Sequence, residues 1–221
     1  VVVPPTSNAN YGWILNIVSK LSANGTAGFL LANGALSGDG TELEIRKQLL
    51  LNHLVEAIVI LPRNMFYSTD ISVTLWILNN NKKARTVQQN GKMVRYRNRE
   101  DEVLFIDLRQ WGEPFEKKYT QFSTEQIQQI AENFHNWQRV GYEETYHNEP
   151  EYCYSATLDE IEKKGWSLVP SKYIEFRNRD EQIDFDTKMK QLQAEMHDLL
   201  QQEEASNKEL KSLFKKLGYT L

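Results

Sequence analysis

Apolar residues along the chain fall into blocks of different spacing, and the densest block covers residues 54–78. Val55, Ala57, Ile58, Val59, Ile60 and Leu61 form a nearly continuous apolar run, the pattern of a strand covered on both faces. Residues 71–78 are rich in β-branched and aromatic side chains and begin too soon after that run for a helical crossover, so the two segments predict an antiparallel pair. The connecting loop, with Pro62, Phe66 and Thr69, then lies at the rim of a layered sheet, where α/β proteins place ligands.

Upstream, two prolines extend residues 1–6, and Ser7 or Asn8 caps a helix whose Ile14, Ile17, Val18 and Leu21 share one face. Asn24-Gly25 is expected to end that helix in the left-handed conformation. Residues 27–31 predict a short buried strand that turns at Asn33-Gly34. Thr41-x-x-Glu44 has capping-box spacing and opens a helix with Ile45, Leu49 and Leu50 inward, ending near Asn52. The order helix, strand, helix, strand, strand predicts an α/β fold with a mixed sheet ending in an antiparallel hairpin.

Apolar periodicity stops after Leu78, and residues 82–99 carry Lys82, Lys83, Arg85, Lys92, Arg95, Arg97 and Arg99 with no acid. Two readings stand: a solvated hairpin turning at Asn90-Gly91, or a loop that contacts nucleic-acid phosphates. Residues 103–107 return as a buried strand. Ser123-x-x-Gln126 opens a helix with Ile127, Ile130, Ala131, Phe134 and Trp137 as a core stripe, beside which His135 is an ordinary helix residue. Residues 141–151 are polar and acidic and predict a flexible excursion. Thr157-x-x-Glu160 opens a short helix ending at Gly165, and Pro170-Ser171-Lys172-Tyr173 leads out of the globular part.

From Phe185 the spacing alternates four and three: Phe185, Met189, Leu192, Met196, Leu199, polar Glu203 and Ser206, then Leu210, Leu213 and Leu217. One narrow seam on a long helix needs a second helix, folded back or from a partner, and docking to a partner subunit is the preferred reading. The polar pair predicts either a hairpin break or a register-setting defect. The resulting plan is an α/β part over residues 1–110 with a basic loop at 79–101, a mainly helical extension over 111–180, and a docking helix over 181–221.

Composition narrows the class. Of 221 residues, 40% are hydrophobic and 25% charged, ordinary values for a water-soluble globular protein. No apolar run is long enough to span a membrane and no signal-peptide pattern occurs, so a cytoplasmic location and no membrane partner are expected. Cys153 is the single cysteine, and His53, His135, His147 and His197 lack ligand spacing, so no metal is expected. A net charge of −4 excludes a wholesale nucleic-acid coat but leaves room for a local basic surface. Val1 stands where an initiator methionine is absent, and a helix follows within a few residues, as in a piece of a longer protein.

The segments ANYGWILNIVSKL, GFLLANGAL, EIRKQLL, LVEAIVILPRNMFYSTDISVTLWILN, VLFIDLRQ, FHNW and GWSLVPSKYIEF, in this order, resemble the carboxyl-terminal half of the modification (methyltransferase) subunit of type I restriction-modification systems. The most specific parts are Leu61-Pro62-x-x-x-Phe66-x-x-Thr69 and Val169-Pro170-Ser171-Lys172-Tyr173. The resemblance implies the carboxyl-terminal part of a class I S-adenosylmethionine-dependent methyltransferase fold followed by a helical tail. It implies methyl transfer from S-adenosylmethionine to adenine N6 in DNA, with the adenine rotated out of the duplex because a stacked, paired amine cannot reach the methyl donor. Implied partners are DNA, a specificity subunit, a second modification subunit, and a translocating restriction subunit.

Two family signatures are missing here. There is no glycine-rich cofactor loop after a first strand, and Val3-Pro4-Pro5-Thr6 lacks both the amide acceptor and the terminal aromatic of the Asn-Pro-Pro-aromatic motif. In the family both lie upstream, so the fragment should lack catalytic residues and most of the cofactor pocket and be inactive alone. The resemblance places Phe66 where related enzymes stack an aromatic on the flipped base. Tyr67 is its nearest competitor, and Asn33 and Thr69 are further candidates for the cleft. The alternative is a non-catalytic assembly and DNA-clamping module docking a specificity subunit through its last helix.

Overall fold

The computed structural model describes residues 3–176 and 185–218, which belong to two compact units, residues 1–177 and 178–221. The first unit is built on a five-stranded sheet of β1 (Thr26–Ala32), β2 (Val55–Ile60), β3 (Val73–Asn79), β6 (Glu102–Asp107) and β9 (Cys153–Thr157) in the order β1-β3-β2-β6-β9. β3 runs antiparallel to both β1 and β2, β2 is parallel to β6, and β9 closes the far edge antiparallel to β6. Two small hairpins stand apart from it: β4 (Arg85–Gln89) with β5 (Lys92–Tyr96), and β7 (Glu113–Phe115) with β8 (Tyr119–Gln121).

Helices cover both faces, as the unbroken apolar run of β2 requires. α1 (Asn10–Lys20) and α2 (Thr41–Leu51) bring Tyr11, Ile14, Ile45, Leu49 and Leu50 against Val55, Ile58, Trp76 and Phe105. The other face packs Trp137, at the end of α3 (Thr124–Gln138), with Ala57, Val59, Leu104 and Ile106. α4 (Leu158–Lys163) follows β9 and adds Ile161 to the first cluster. Buried Arg46 ties this layer together, Nε donating to Trp166 O at 2.7 Å and Nη1 to Gly38 O at 2.8 Å.

Several local expectations are corrected. α1 ends at Lys20 because Leu21 leaves it in an extended conformation to pack on the core, and Gly25 only closes a turn onto Ser22 O. Residues 27–31 are an edge strand rather than a buried one: Ala27, Phe29 and Leu31 are half-buried, whereas Thr26, Gly28, Leu30 and Ala32 are exposed. Thr41 is the first helical residue of α2 and Gly40 holds the cap position at φ +60°, so the Thr41 hydroxyl makes no cap. The boxes at Ser123/Gln126 and Thr157/Glu160 do form. Ile127 is 56% exposed, so the core stripe of α3 starts at Ile130. Within residues 141–151, Tyr146 is buried in the second cluster. The 170–173 segment does not leave the globular part: Tyr173 is buried, its ring stacked 4.2 Å from that of Phe105. Residues 111–176 therefore share a sheet and a core with the preceding segment through β9, Trp137 and Tyr173.

The second unit contains α5 (Phe185–Lys216), which runs unbroken through Glu203 and Ser206, so no hairpin break occurs there. No described helix is long and apolar enough to cross a membrane.

Candidate functional site

The carboxyl ends of three parallel strands meet at one rim. β1 and β2 are each antiparallel to β3 and therefore parallel to one another, and β2 is parallel to β6. Asn33 follows β1, residues 61–72 follow β2, and Asp107 ends β6 opposite Ile60. Such a rim presents loops and loose strand ends above a rigid base, which suits it to binding.

Internal hydrogen bonds hold the 61–72 loop. Leu61 N–H donates to Val73 O at 2.9 Å, and the Ser72 hydroxyl donates to Leu61 O. At its tip Phe66 and Thr69 pair across a tight turn, with Thr69 N–H donating to Phe66 O at 3.3 Å, so Tyr67 and Ser68 form the two corners. Phe66 is half-buried and packs on the second core cluster, whereas Tyr67 is 73% exposed. Asn33 is exposed, its Oδ1 accepting the Thr74 hydroxyl at 2.5 Å, and Thr69 is half-buried at the turn. The loop and strand ends thus bring Asn33, Phe66, Tyr67 and Thr69 to the same rim.

Two rim features have no periodic signature in the sequence. Asp107 is buried to 4% exposure and takes two hydrogen bonds from Arg109 Nε and a third, at 2.6 Å, from Arg109 Nη2. These contacts hold the guanidinium pKa above its ordinary value. The β7/β8 hairpin docks on the loop, Thr120 N–H donating to Asn64 O at 2.9 Å and the Tyr119 ring meeting that of Tyr67 edge-on at 4.6 Å. Three-residue strands carry too little alternation to be visible as strands.

The basic segment divides into a root and an arm. At the root Lys82 is buried, Nζ donating to Val55 O at 2.8 Å and Glu102 O at 2.6 Å, and burial pulls its pKa down to about 8. Arg99 and Glu56, both fully buried, pair at 2.9 Å, and Gln138 Nε2 donates to the same carboxylate oxygen at 3.0 Å. Arg97 forks onto Glu102 at 2.7 and 2.8 Å, donates to Trp137 O, and lies 3.7 Å above the Tyr142 ring. Burial works to raise the Glu102 pKa, but the hydrogen bonds and charge of Arg97 hold it below the ordinary carboxylate range. Lys82, Arg97 and Arg99 thus fasten the segment to β2, β6 and α3 and leave the set of solvent-facing cations. The arm is the hairpin β4/β5, turning at Asn90 (φ 50°) and Gly91 (φ 76°) as expected. Lys83, Lys92 and Arg95 are exposed, and Arg85 is half-buried against the Tyr96 ring at 5.2 Å.

On α5 the heptad seam is open: Phe185 and Leu217 are 75% and 70% exposed, and Met189, Leu192, Met196, Leu199, Leu210 and Leu213 lie between 48% and 60%. Among the described residues no cluster of three or more His, Cys, Asp or Glu side chains forms a metal site.

The family profile described as N-6 DNA Methylase matches residues 1–182. The "Type I restriction enzyme MjaIX methylase subunit" of Methanocaldococcus jannaschii is 35% identical over 99% of this chain and 37% of its own length. The "Type I restriction enzyme HindI methylase subunit" of Haemophilus influenzae is 36% identical over 98% of this chain and 45% of its own length. The chain therefore spans less than half of each. The type I methyltransferase subunit of Streptococcus thermophilus superimposes with a TM-score of 0.63 at 22% identity, covering 79% of this chain and 32% of that one. The EcoKI M protein gives 0.57 at 15% identity over 95% of this chain and 46% of its own. At these identities the two structures establish the fold, a mixed α/β sheet with an antiparallel hairpin and a terminal helix. From the extent of the profile match and of the identities, the chain belongs to the N-6 DNA methylase family.

Proposed function

We propose that this chain is the carboxyl-terminal part of a type I modification subunit that methylates adenine N6 in DNA with S-adenosylmethionine. The observation that carries the reading is 35–36% identity to two type I methylase subunits over 98–99% of the chain. Phe66 supplies one wall of the pocket for the flipped adenine, with Asn33, Tyr67 and Thr69 at its edge. A half-buried ring anchored on the core can offer its remaining face to a base without losing further rotamer freedom on binding.

The residues of this rim do not by themselves fit S-adenosylmethionine. A nucleoside with an amino-acid tail needs acceptors for its ribose hydroxyls and ammonium, and the buried rim carboxylate, Asp107, is already bound to Arg109. The cofactor site and the Asn-Pro-Pro-aromatic acceptors are therefore assigned to another part of the intact subunit, and this chain alone is inactive. The fitting partners are DNA, a specificity subunit, a second modification subunit and a restriction subunit, in the cytoplasm.

The second reading, an assembly and DNA-clamping module, is favoured by the open seam of α5 and by the exposed cations of the β4/β5 arm. Both roles are compatible in one subunit. In the intact subunit, Phe66→Ala should abolish adenine methylation while the complex still assembles. Full activity in that variant removes Phe66 from the pocket. Deleting residues 185–221 should abolish capture of the specificity subunit, and capture at wild-type affinity would refute the docking role.

A further inference from the structure

We infer that Tyr67 is a second stacking platform, for a nucleobase beside the flipped adenine, and that Tyr119 is the residue that positions it. The inference rests on the methyltransferase reading above. Its basis is the geometry of the turn: Phe66 and Tyr67 are consecutive, yet Phe66 packs on the second core cluster while Tyr67, at the corner, stands 73% exposed. Phe66 is held against the core and Tyr67 stands out toward solvent, so the exposed ring at the pocket edge is placed to meet the neighbouring base.

An isolated tyrosine at a turn corner samples several rotamers, and this one is braced. The Tyr119 ring lies 4.6 Å away at 72°, the edge-to-face arrangement that the ring quadrupoles favour. Tyr119 is itself half-buried on a hairpin fastened to the loop through Thr120 and Asn64. Gly112, at φ +99°, opens that hairpin where a Cβ would come within 2.5 Å of Thr120 Cγ2. The brace leaves an outward face of Tyr67 free and fixes its direction.

The surroundings select the ligand. Around the turn the cations Arg63, Lys117 and Lys118 equal in number the acids Asp70, Glu113 and Glu116, Arg63 lying 4.0 Å from Asp70 and Lys118 over the Tyr119 ring. A surface whose formal charges balance is a poor phosphate clamp, and the apolar groups nearby, the Tyr119 ring and the exposed Ile71, leave the outward face of Tyr67 as the broadest flat apolar surface at the turn. An oriented π-face of this kind suits a base.

The test uses the intact subunit in its assembled complex, with duplexes that carry the adenine it methylates. Tyr67→Ala should weaken DNA binding by about 5- to 150-fold, the range for losing one stacked base, with Tyr67→Phe close to wild type. Tyr119→Ala should lose a smaller part and Tyr119→Phe almost none. The slope of log affinity against log salt should stay unchanged, because no phosphate contact is removed. Removing the base beside the target should weaken wild type but not Tyr67→Ala. A Tyr67→Ala affinity within twofold of wild type, an equal loss on the abasic duplex, or a loss directed at the specificity subunit instead would each overturn the inference. Absence of adenine methylation by the wild-type complex would refute the methyltransferase reading itself, whereas wild-type methylation with an indifferent Tyr67→Ala refutes only the platform.

Discussion

Replacing Arg99 by methionine should destabilise the first unit by about 3–5 kcal/mol, the range for stranding one partner of a buried ion pair. Arg99 and Glu56 are both fully buried and their contact is 2.9 Å, so nothing outside the protein can take over the charge left on Glu56. Gln138 still donates one bond to that carboxylate and the Lys82 ammonium attracts it through space, but Glu56 Oε2 has no hydrogen-bond partner in the protein, so the remaining groups satisfy it only in part. The substitution also removes the donors to Arg97 O and Gln138 O, which link the end of the arm to the end of α3. For a unit of 177 residues the loss corresponds to roughly 6–20 °C in Tm. Urea unfolding of wild type, Arg99→Met and Arg99→Met/Glu56→Leu gives the comparison. The double variant should recover part of the loss, because an apolar pair of similar volume has no charge to desolvate, while buried Lys82 loses the attraction of Glu56. A single-variant loss below about 1 kcal/mol, or a double variant no better than the single, refutes the argument from an uncompensated charge.

The pH dependence of Lys82 has a definite sign. Its folded pKa is lowered to about 8 from 10.5, so the unfolded chain binds more protons between these values and the group's contribution to stability rises with pH across that window. A neutral amine still has two N–H donors for Val55 O and Glu102 O. Denaturation of wild type and Lys82→Met from pH 8 to 10 should therefore show the difference moving toward wild type by about 2 kcal/mol, and a flat difference refutes the shift. Changing Lys83, Lys92 and Arg95 to glutamine in the intact subunit should flatten the salt dependence of DNA binding by up to about three units of slope, measured by titration at several salt concentrations, without lowering Tm. A Leu192→Glu/Leu199→Glu pair on α5 should leave helicity by circular dichroism intact and abolish capture of the specificity subunit.

The order of the sheet elements up to residue 79 was legible because both strands of the central pair announce themselves, one by an uninterrupted apolar run and the other by β-branched and aromatic content. The rim position of Phe66, Tyr67 and Thr69 followed from that pair. Composition could not separate root from arm in the basic segment. Lys82 and Arg99 look like Lys83 and Arg95 in sequence, and only β2 and β6 passing beneath them turn two into buried ligands of Glu56 and of backbone carbonyls. β9 carries no strand signal of its own, because Cys153-Tyr154-Ser155-Ala156-Thr157 lacks alternation and its burial depends on pairing with β6. Stacking of Tyr173 on Phe105 of β6 keeps the 170–173 segment in the core rather than leading away from it.

The outer edge of β1 bears on what this polypeptide can pair with. Thr26-Ala-Gly-Phe-Leu-Leu-Ala32 carries no charge, no proline and no bulge, and among the described strands it pairs with β3 along one side. Proteins normally guard such an edge with lysine, proline or a twist. An edge so composed is ready to accept a further strand, from another part of the intact subunit or from a second copy of this chain. A lysine at the exposed Gly28 should weaken any pairing made through this edge, whichever strand supplies it.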